Sequence, residues 1–138
     1  SGDDIKGMNE SPLIFSLSNP TPEIMPDEVK KARPDAIVAT GRSDFPNQIN
    51  NVLGFPYIFK GALKVRASKI NEEMKFAAAY AIANLAREPI TEKLEKLLKK
   101  KMSFGKEYII PSAFDERLDD VVSNAVADAA IKSGVARV

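Results

Sequence analysis

A chain of 138 residues can bury one modest core and allows one domain, or a large piece of a bigger one, but not two domains, and 20 Lys and Arg against 19 Asp and Glu leave a net charge of +1, too little field to favour nucleic acid or an anionic membrane. With 44% hydrophobic and 28% charged residues it has the composition of a folded globular protein, but it contains no cysteine and no histidine, which removes disulfides, thiolate chemistry and the commonest acid, base and metal ligand near neutral pH. No apolar stretch approaches the roughly 20 residues needed to span a bilayer, and Ser1-Gly2-Asp3-Asp4 has neither a basic region nor an apolar signal core. The expectation is a cytoplasmic protein with no membrane or nucleic-acid partner.

In chain order, Pro12-Leu13-Ile14-Phe15-Ser16-Leu17-Ser18 reads as a strand closed by Asn19-Pro20, and its continuous apolarity predicts a parallel strand covered on both faces. Pro22 and Pro26 open a short helix over residues 27–32, which the Arg33-Pro34 break ends. Ala36-Ile37-Val38-Ala39-Thr40 is a second buried strand, followed by Gly41 where a chain leaving a strand end often takes positive φ. Strand, short helix and strand make a right-handed crossover unit.

Beyond a loop over residues 42–46, Pro46 fits the first turn of a helix running to Leu53, with Gly54 and Pro56 as interruptions and a further helix over 57–63. A long helix is predicted over 71–87, with Met74, Ala77, Ala78, Ala81, Ile82 and Leu85 on its buried stripe. Residues 88–101 place Leu94, Leu97 and Leu98 at helical spacing among Glu and Lys, as in a surface helix or a mobile arm. Pro111 with Ser112 and Asp115, spaced as a capping box, announces a last helix burying Leu118, Val121, Val122, Ala125, Val126 and Ala129 and stopping at Gly134. The fold class is α/β: part of a Rossmann-like doubly wound parallel sheet with a helical carboxy-terminal tail.

Open parallel sheets bind ligands beyond the carboxyl ends of their strands, where loops diverge and helix amino termini present free N–H groups. Asn19 stands at that end of the first strand, and the loop from Gly41 leaves the same end of the second and delivers Asn50 and Asn51. An asparagine amide offers two donors and an acceptor without charge, so it can hold a carboxylate or a carboxamide without titrating. The competing reading is local: Asn before Pro forms turns, and paired Asn near a helix start caps it.

The strings Ser16-Leu17-Ser18-Asn19-Pro20-Thr21 and Ala39-Thr40-Gly41-Arg42-Ser43-Asp44-Phe45-Pro46-Asn47-Gln48-Ile49-Asn50-Asn51-Val52-Leu53 resemble the bacterial and archaeal type of malic enzyme. The likeness continues through Phe59-Lys60-Gly61-Ala62-Leu63, Lys69-Ile70-Asn71-Glu72-Glu73-Met74-Lys75 and Tyr108-Ile109-Ile110-Pro111-Ser112-Ala113-Phe114-Asp115. It implies oxidative decarboxylation of malate to pyruvate and carbon dioxide, with NAD or NADP accepting hydride and Mg²⁺ or Mn²⁺ polarising the keto oxygen of oxaloacetate. Carried over by residue, Asn19 contacts the nicotinamide ribose and the substrate, Ser18 and Gly41 face the cofactor, and Asn50 and Asn51 hold substrate carboxylate, Asn51 being the stronger choice.

The family's lysine base, tyrosine acid, three carboxylate metal ligands and Gly-rich pyrophosphate loop lie earlier in its sequence and have no counterpart here. Residues 1–138 are therefore expected to be the carboxy-terminal portion of a malic enzyme NAD(P)-binding domain, inactive alone, partnered by the remainder of the enzyme and by further subunits of a homo-oligomer. The alternative is a non-catalytic small-molecule or protein-binding module on a partial Rossmann fold. Tyr57, Tyr80 and Tyr108 do not match the acid's motif. Lys99-Lys100-Lys101, with Lys96 and Lys106, is offset by Glu92 and Glu95 and reads as a solvated helix end. Arg42 and Asp44 either orient Asn51 or form a loop ion pair, and Ala77-Ala78-Ala79-Tyr80-Ala81 permits close helix packing.

Overall fold

A computed structural model describes residues 1–138. Its first half runs α1 (Gly2–Lys6), β1 (Leu13–Ser16), α2 (Pro26–Ala32) and β2 (Ile37–Thr40). After a single 3₁₀ turn at Asn51–Leu53 come α3 (Phe55–Lys64), α4 (Glu72–Arg87), α5 (Glu92–Leu98) and α6 (Leu118–Lys132).

The strands pair in parallel, with Leu13 opposite Ile37 and Ser16 opposite Thr40, and α2 forms the crossover between them. Side chains alternate across a strand, so β1 turns Ile14 and Ser16 inward, and Ile14 joins Ile5, Ile24, Val29 and Ala36 in a small core. The other face of β1 carries Leu13, 59% exposed, and Phe15, 50% exposed, so the expectation of a strand covered on both faces holds for only one. The sequence is apolar on both faces, yet within these residues only the α1–α2 side is covered. Arg33 closes that side: its guanidinium donates to the carbonyls of Ile5, Met8 and Asn9, at 3.2, 2.8 and 2.8 Å, and pairs with Asp35. That pairing, with a bond from the Ser11 N–H, holds the Asp35 carboxyl far below the usual carboxylate range.

The larger core lies between α3, α4 and α6 and includes Leu53, Val65, Met74, Leu85, Leu118, Val122 and Val126. Asn71 caps α4 by accepting from the Met74 N–H at 3.0 Å, and the helix buries Met74, Ala78, Ala81, Leu85 and Ala86. Thr91 caps α5 in the same way through the Leu94 N–H, burying Leu94 and leaving Leu97 outside.

The last helix differs from its expected form. Ser112 and Asp115 make a turn, with the Asp115 N–H donating to the Ser112 carbonyl at 3.0 Å, and α6 starts only at Leu118. The buried Asp115 carboxylate accepts from the Arg117 backbone N–H, Nε and Nη2, so the guanidinium fork takes the oxygens that a capping box would use. The buried face is correspondingly Leu118, Val122, Ser123, Val126, Ala127 and Ala130, while Val121 is exposed and Ala125 and Ala129 are half-buried. Gly134 does stop the helix: at φ +76° it adopts the left-handed conformation, and its N–H and that of Val135 donate back to Ile131 and Ala130.

Where α3 crosses α6, a Cβ on Gly61 would stand 2.5 Å from the Ser123 carbonyl oxygen and 2.8 Å from the Val126 Cβ. The close approach explains why a serine lies on the buried face, since two helices can meet this tightly only over small side chains. Gly61→Ala should therefore lower stability by roughly 1 to 3 kcal/mol in thermal or denaturant unfolding. Gly7→Ala, with nothing within 4 Å of the added Cβ, is the control and should shift stability by less than about 0.5 kcal/mol. Equal effects at the two glycines would contradict the packing.

Candidate functional site at the carboxyl ends of the strands

Beyond Ser16 the chain turns sharply, and the Asn19-Pro20 peptide is cis. Ser18 fixes the turn: its N–H and hydroxyl both donate to the Glu23 carboxylate, at 3.2 and 2.7 Å, which holds that carboxyl below its ordinary range. Ser18 therefore faces Glu23 and does not line the cleft that follows, whereas Asn19 does.

From β2 the chain passes Gly41 into the loop over residues 42–46. Arg42 grips Asp44 through two bonds of 2.8 and 2.6 Å, lies over the Phe45 ring at 5.2 Å, and keeps the Asp44 carboxyl below its usual range. This is a local ion pair, and its bonds do not involve Asn51.

Pro46 starts no helix. Asn47 has φ +56°, and residues 47–49 return beside β2 as a short strand-like segment. The Thr40 N–H donates to the Asn47 carbonyl at 3.4 Å, and the Ile49 N–H donates to the Thr40 carbonyl at 2.8 Å. The Asn47 side chain ties the segment to distant backbone instead: Nδ2 donates to the carbonyls of Val38 and Lys106, at 2.9 and 2.7 Å, and Oδ1 accepts from the Ile109 N–H at 2.9 Å. Asn50 is extended and caps the 3₁₀ turn, accepting from the Val52 N–H at 3.0 Å.

These paths converge on a cleft of about 410 Å³ lined by Leu17, Asn19, Gly41, Ile49, Asn50 and Asn51. Four of the five residues singled out from sequence meet here: Asn19, Gly41, Asn50 and Asn51. The two readings of the asparagines divide between them. Asn50 uses its acceptor as a cap, while the exposed amides of Asn19 and Asn51 are engaged by no protein group. Gly41 lies under Asn19, where a Cβ would meet Nδ2 at 3.1 Å and Oδ1 at 3.2 Å. Its φ is not positive, so the glycine is needed there for space beside Asn19 and not for left-handed backbone.

Other groups do not gather for chemistry. No three Asp or Glu residues are placed to hold a metal ion. The Tyr108 hydroxyl accepts from the Ser112 N–H at 3.1 Å and is pushed up by burial, as suits a structural tyrosine. A second cavity, of about 440 Å³, is lined by Pro26, Lys30, Val38, Asn47 and Glu107 among others, but Lys30 and Glu107 pair with each other at 3.2 Å and the Asn47 amide is fully bonded. The amide cleft alone presents several unpaired neutral donors at a strand end. Glu23 and Asn47 were not singled out from sequence: one lies five residues from its partner and the other bonds across sequence gaps of 59 and 62 residues.

A parallel strand pair joined by a helix, with polar groups gathered beyond its carboxyl ends, defines an open α/β sheet of the dinucleotide-binding class. The family model described as malic enzyme, NAD binding domain, matches residues 3–104, and the chain belongs to this family. It is 62% identical over 99% of its length to a probable NADP-dependent malic enzyme of Rickettsia prowazekii, covering 18% of that protein. It is 57% identical over 94% of its length to an NAD-dependent malic enzyme of Rhizobium meliloti, covering 17%. The crystal structure of malic enzyme from Pyrococcus horikoshii superposes with a TM-score of 0.84 at 48% identity, covering 99% of this chain and 28% of that one. The chain thus spans less than a third of the length of these relatives. No helix is long and apolar enough to cross a membrane.

The contact between Gly41 and Asn19 can be tested without turnover. Gly41→Ala should displace the Asn19 side-chain amide resonances in NMR spectra while changing unfolding free energy by less than about 1 kcal/mol, because only the end of a flexible side chain must yield. Unshifted Asn19 resonances would show that the two residues do not touch.

Proposed function

We propose that this chain is the carboxy-terminal portion of the NAD(P)-binding domain of a malic enzyme, and that its amide cleft holds malate against the nicotinamide end of the cofactor. The observation that carries the reading is the pair of unpartnered amides, Asn19 and Asn51, in one cleft at the carboxyl ends of two parallel strands. Asn51 donates to a malate carboxylate. Asn19, set at the base of the cleft against Gly41, reaches both the substrate and the nicotinamide ribose. Asn50 keeps its acceptor on the Val52 N–H and offers Nδ2 as a secondary donor to the same carboxylate. Ser18, bound to Glu23, contributes by shaping the turn that presents Asn19 to the cofactor.

Neutral amides suit this task. An amide orients the carboxylate and stays the same through the proton movements around it. NAD or NADP accepts the hydride when bound. Relatives named for each dinucleotide match this chain at 57 and 62% identity, so overall similarity does not separate the two cofactors.

The residues present do not fit a metal site, since no carboxylates cluster and histidine and cysteine are absent. The ligands for Mg²⁺ or Mn²⁺, the base and the acid come, in this proposal, from the remainder of the polypeptide, and the isolated chain is inactive. The apolar groups uncovered on β1 and on α3, among them Phe15, Phe55, Phe59 and Leu63, are surfaces for that remainder and for a second subunit of a cytoplasmic homo-oligomer.

In the complete enzyme, Asn51→Ala should weaken malate binding by about 1.5 to 3 kcal/mol, read as a malate KM raised roughly tenfold or more with the cofactor KM nearly unmoved. Asn50→Ala should instead cost about 1 kcal/mol of stability through loss of the cap. A stability loss with unchanged malate kinetics at Asn51 would defeat the binding role.

A further inference from the structure

We propose that Asn47 is a positioning residue for malate, acting through Asn51. The inference rests on the substrate-holding role argued for Asn51 above and concerns what fixes that amide in place. Asn51 belongs to a single 3₁₀ turn, which has too few internal bonds to hold its own orientation. Leu53, 3% exposed in the larger core, anchors the far side of the turn and α3 follows at Phe55, so the near side, where Asn51 sits, is fixed by the chain before it. Residues 47–49 are that chain, and their backbone bonds reach only Thr40.

The Gln48 side chain adds one long bond, from Nε2 to the Gly41 carbonyl at 3.4 Å, and the side chain of Asn47 supplies the remaining ties. Asn47 is 6% exposed, and the three hydrogen bonds that its amide makes lead to different places: to Val38 in β2, to the Lys106 carbonyl and to the Ile109 N–H. The loop it reaches is itself closed, with the Tyr108 N–H donating to the Gly105 carbonyl at 2.9 Å and the Tyr108 hydroxyl accepting from Ser112. Asn47 thus locks the segment leading to Asn50 and Asn51 between the strand and the loop that precedes α6. The side chain faces away from the amide cleft and is absent from its lining, so it touches no substrate. Its φ of +56° explains the choice of residue as well, because asparagine is the amide-bearing side chain that best tolerates this conformation.

The test is a double-mutant cycle in the complete enzyme. Asn47→Gly removes the three side-chain bonds yet accepts the left-handed backbone, so it isolates the clamp from strain. The expected result is a malate KM raised roughly tenfold, with the cofactor KM and kcat within about twofold of wild type. In the Asn47→Gly, Asn51→Ala double variant the malate KM should equal that of Asn51→Ala alone, since a residue acting through Asn51 has nothing further to lose. A purely structural Asn47 would lower the melting temperature and leave the malate KM in place, which overturns the inference, as would effects that simply multiply. Should Asn47→Gly fail to accumulate as folded protein, hydrogen exchange on the wild-type enzyme gives the same answer: malate should slow exchange at the Ile109 amide together with residues 48–51. Slowing at 48–51 with Ile109 unchanged would overturn the inference. A malate KM that moves with Asn51→Ala but not with Asn47→Gly removes this inference alone, whereas a KM indifferent to Asn51→Ala removes the substrate-holding reading and this inference with it.

Discussion

The buried amide of Asn47 is the constraint on which the arrangement of the cleft depends. The chain forms two separate apolar bodies, a small one under the strand pair and a larger one between α3, α4 and α6. A two-stranded parallel sheet has little stability of its own. The Asn47 side chain pins β2, at Val38, to the loop that feeds α6, with both donors and the acceptor in use and almost no exposure. Leaving any of those groups unpaired in the interior costs about 1 to 3 kcal/mol, so the joint is strongly determined.

That determinacy is passed to the cleft. Strand geometry delivers Asn19 and Gly41 to the same edge, the Gly41 backbone leaves room for the Asn19 amide, and the Asn47 joint starts the segment that ends in Asn50 and Asn51. One asparagine pins the segment, one caps the turn, and one faces the cleft unpaired. A site made of neutral amides on short loops needs such a frame, because an amide has no long-range field and works only when its geometry is held.

Much of this was legible in the sequence. Both strands, the crossover helix, the long α4 and the stop at Gly134 follow from apolar runs, helical spacing and turn residues, and the strand-end rule places Asn19, the loop from Gly41, Asn50 and Asn51 at one end of the strand pair. What was not legible involved distant partners. Pro46 signals a helix start locally, but Asn47 bonds to groups 59 and 62 residues away and draws the segment into the sheet. Ser112 and Asp115 have capping-box spacing, but Arg117 takes the carboxylate. Gly41 looked like a positive-φ glycine and is instead a space for a side chain from the neighbouring strand end. Continuous apolarity in β1 indicated two covered faces, and which element covers the second is not encoded in these residues.

The central claim is that Asn51 holds the substrate and Asn50 chiefly holds the turn. A crystal structure of the complete enzyme with dinucleotide and a non-reacting malate analogue tests it most directly. The account predicts Asn51 Nδ2 at about 2.8 to 3.1 Å from an analogue carboxylate oxygen, with Asn50 Oδ1 still on the Val52 N–H and Asn19 against both ligands. An analogue bound elsewhere, with the Asn19 and Asn51 amides turned to water or to protein partners, would contradict it.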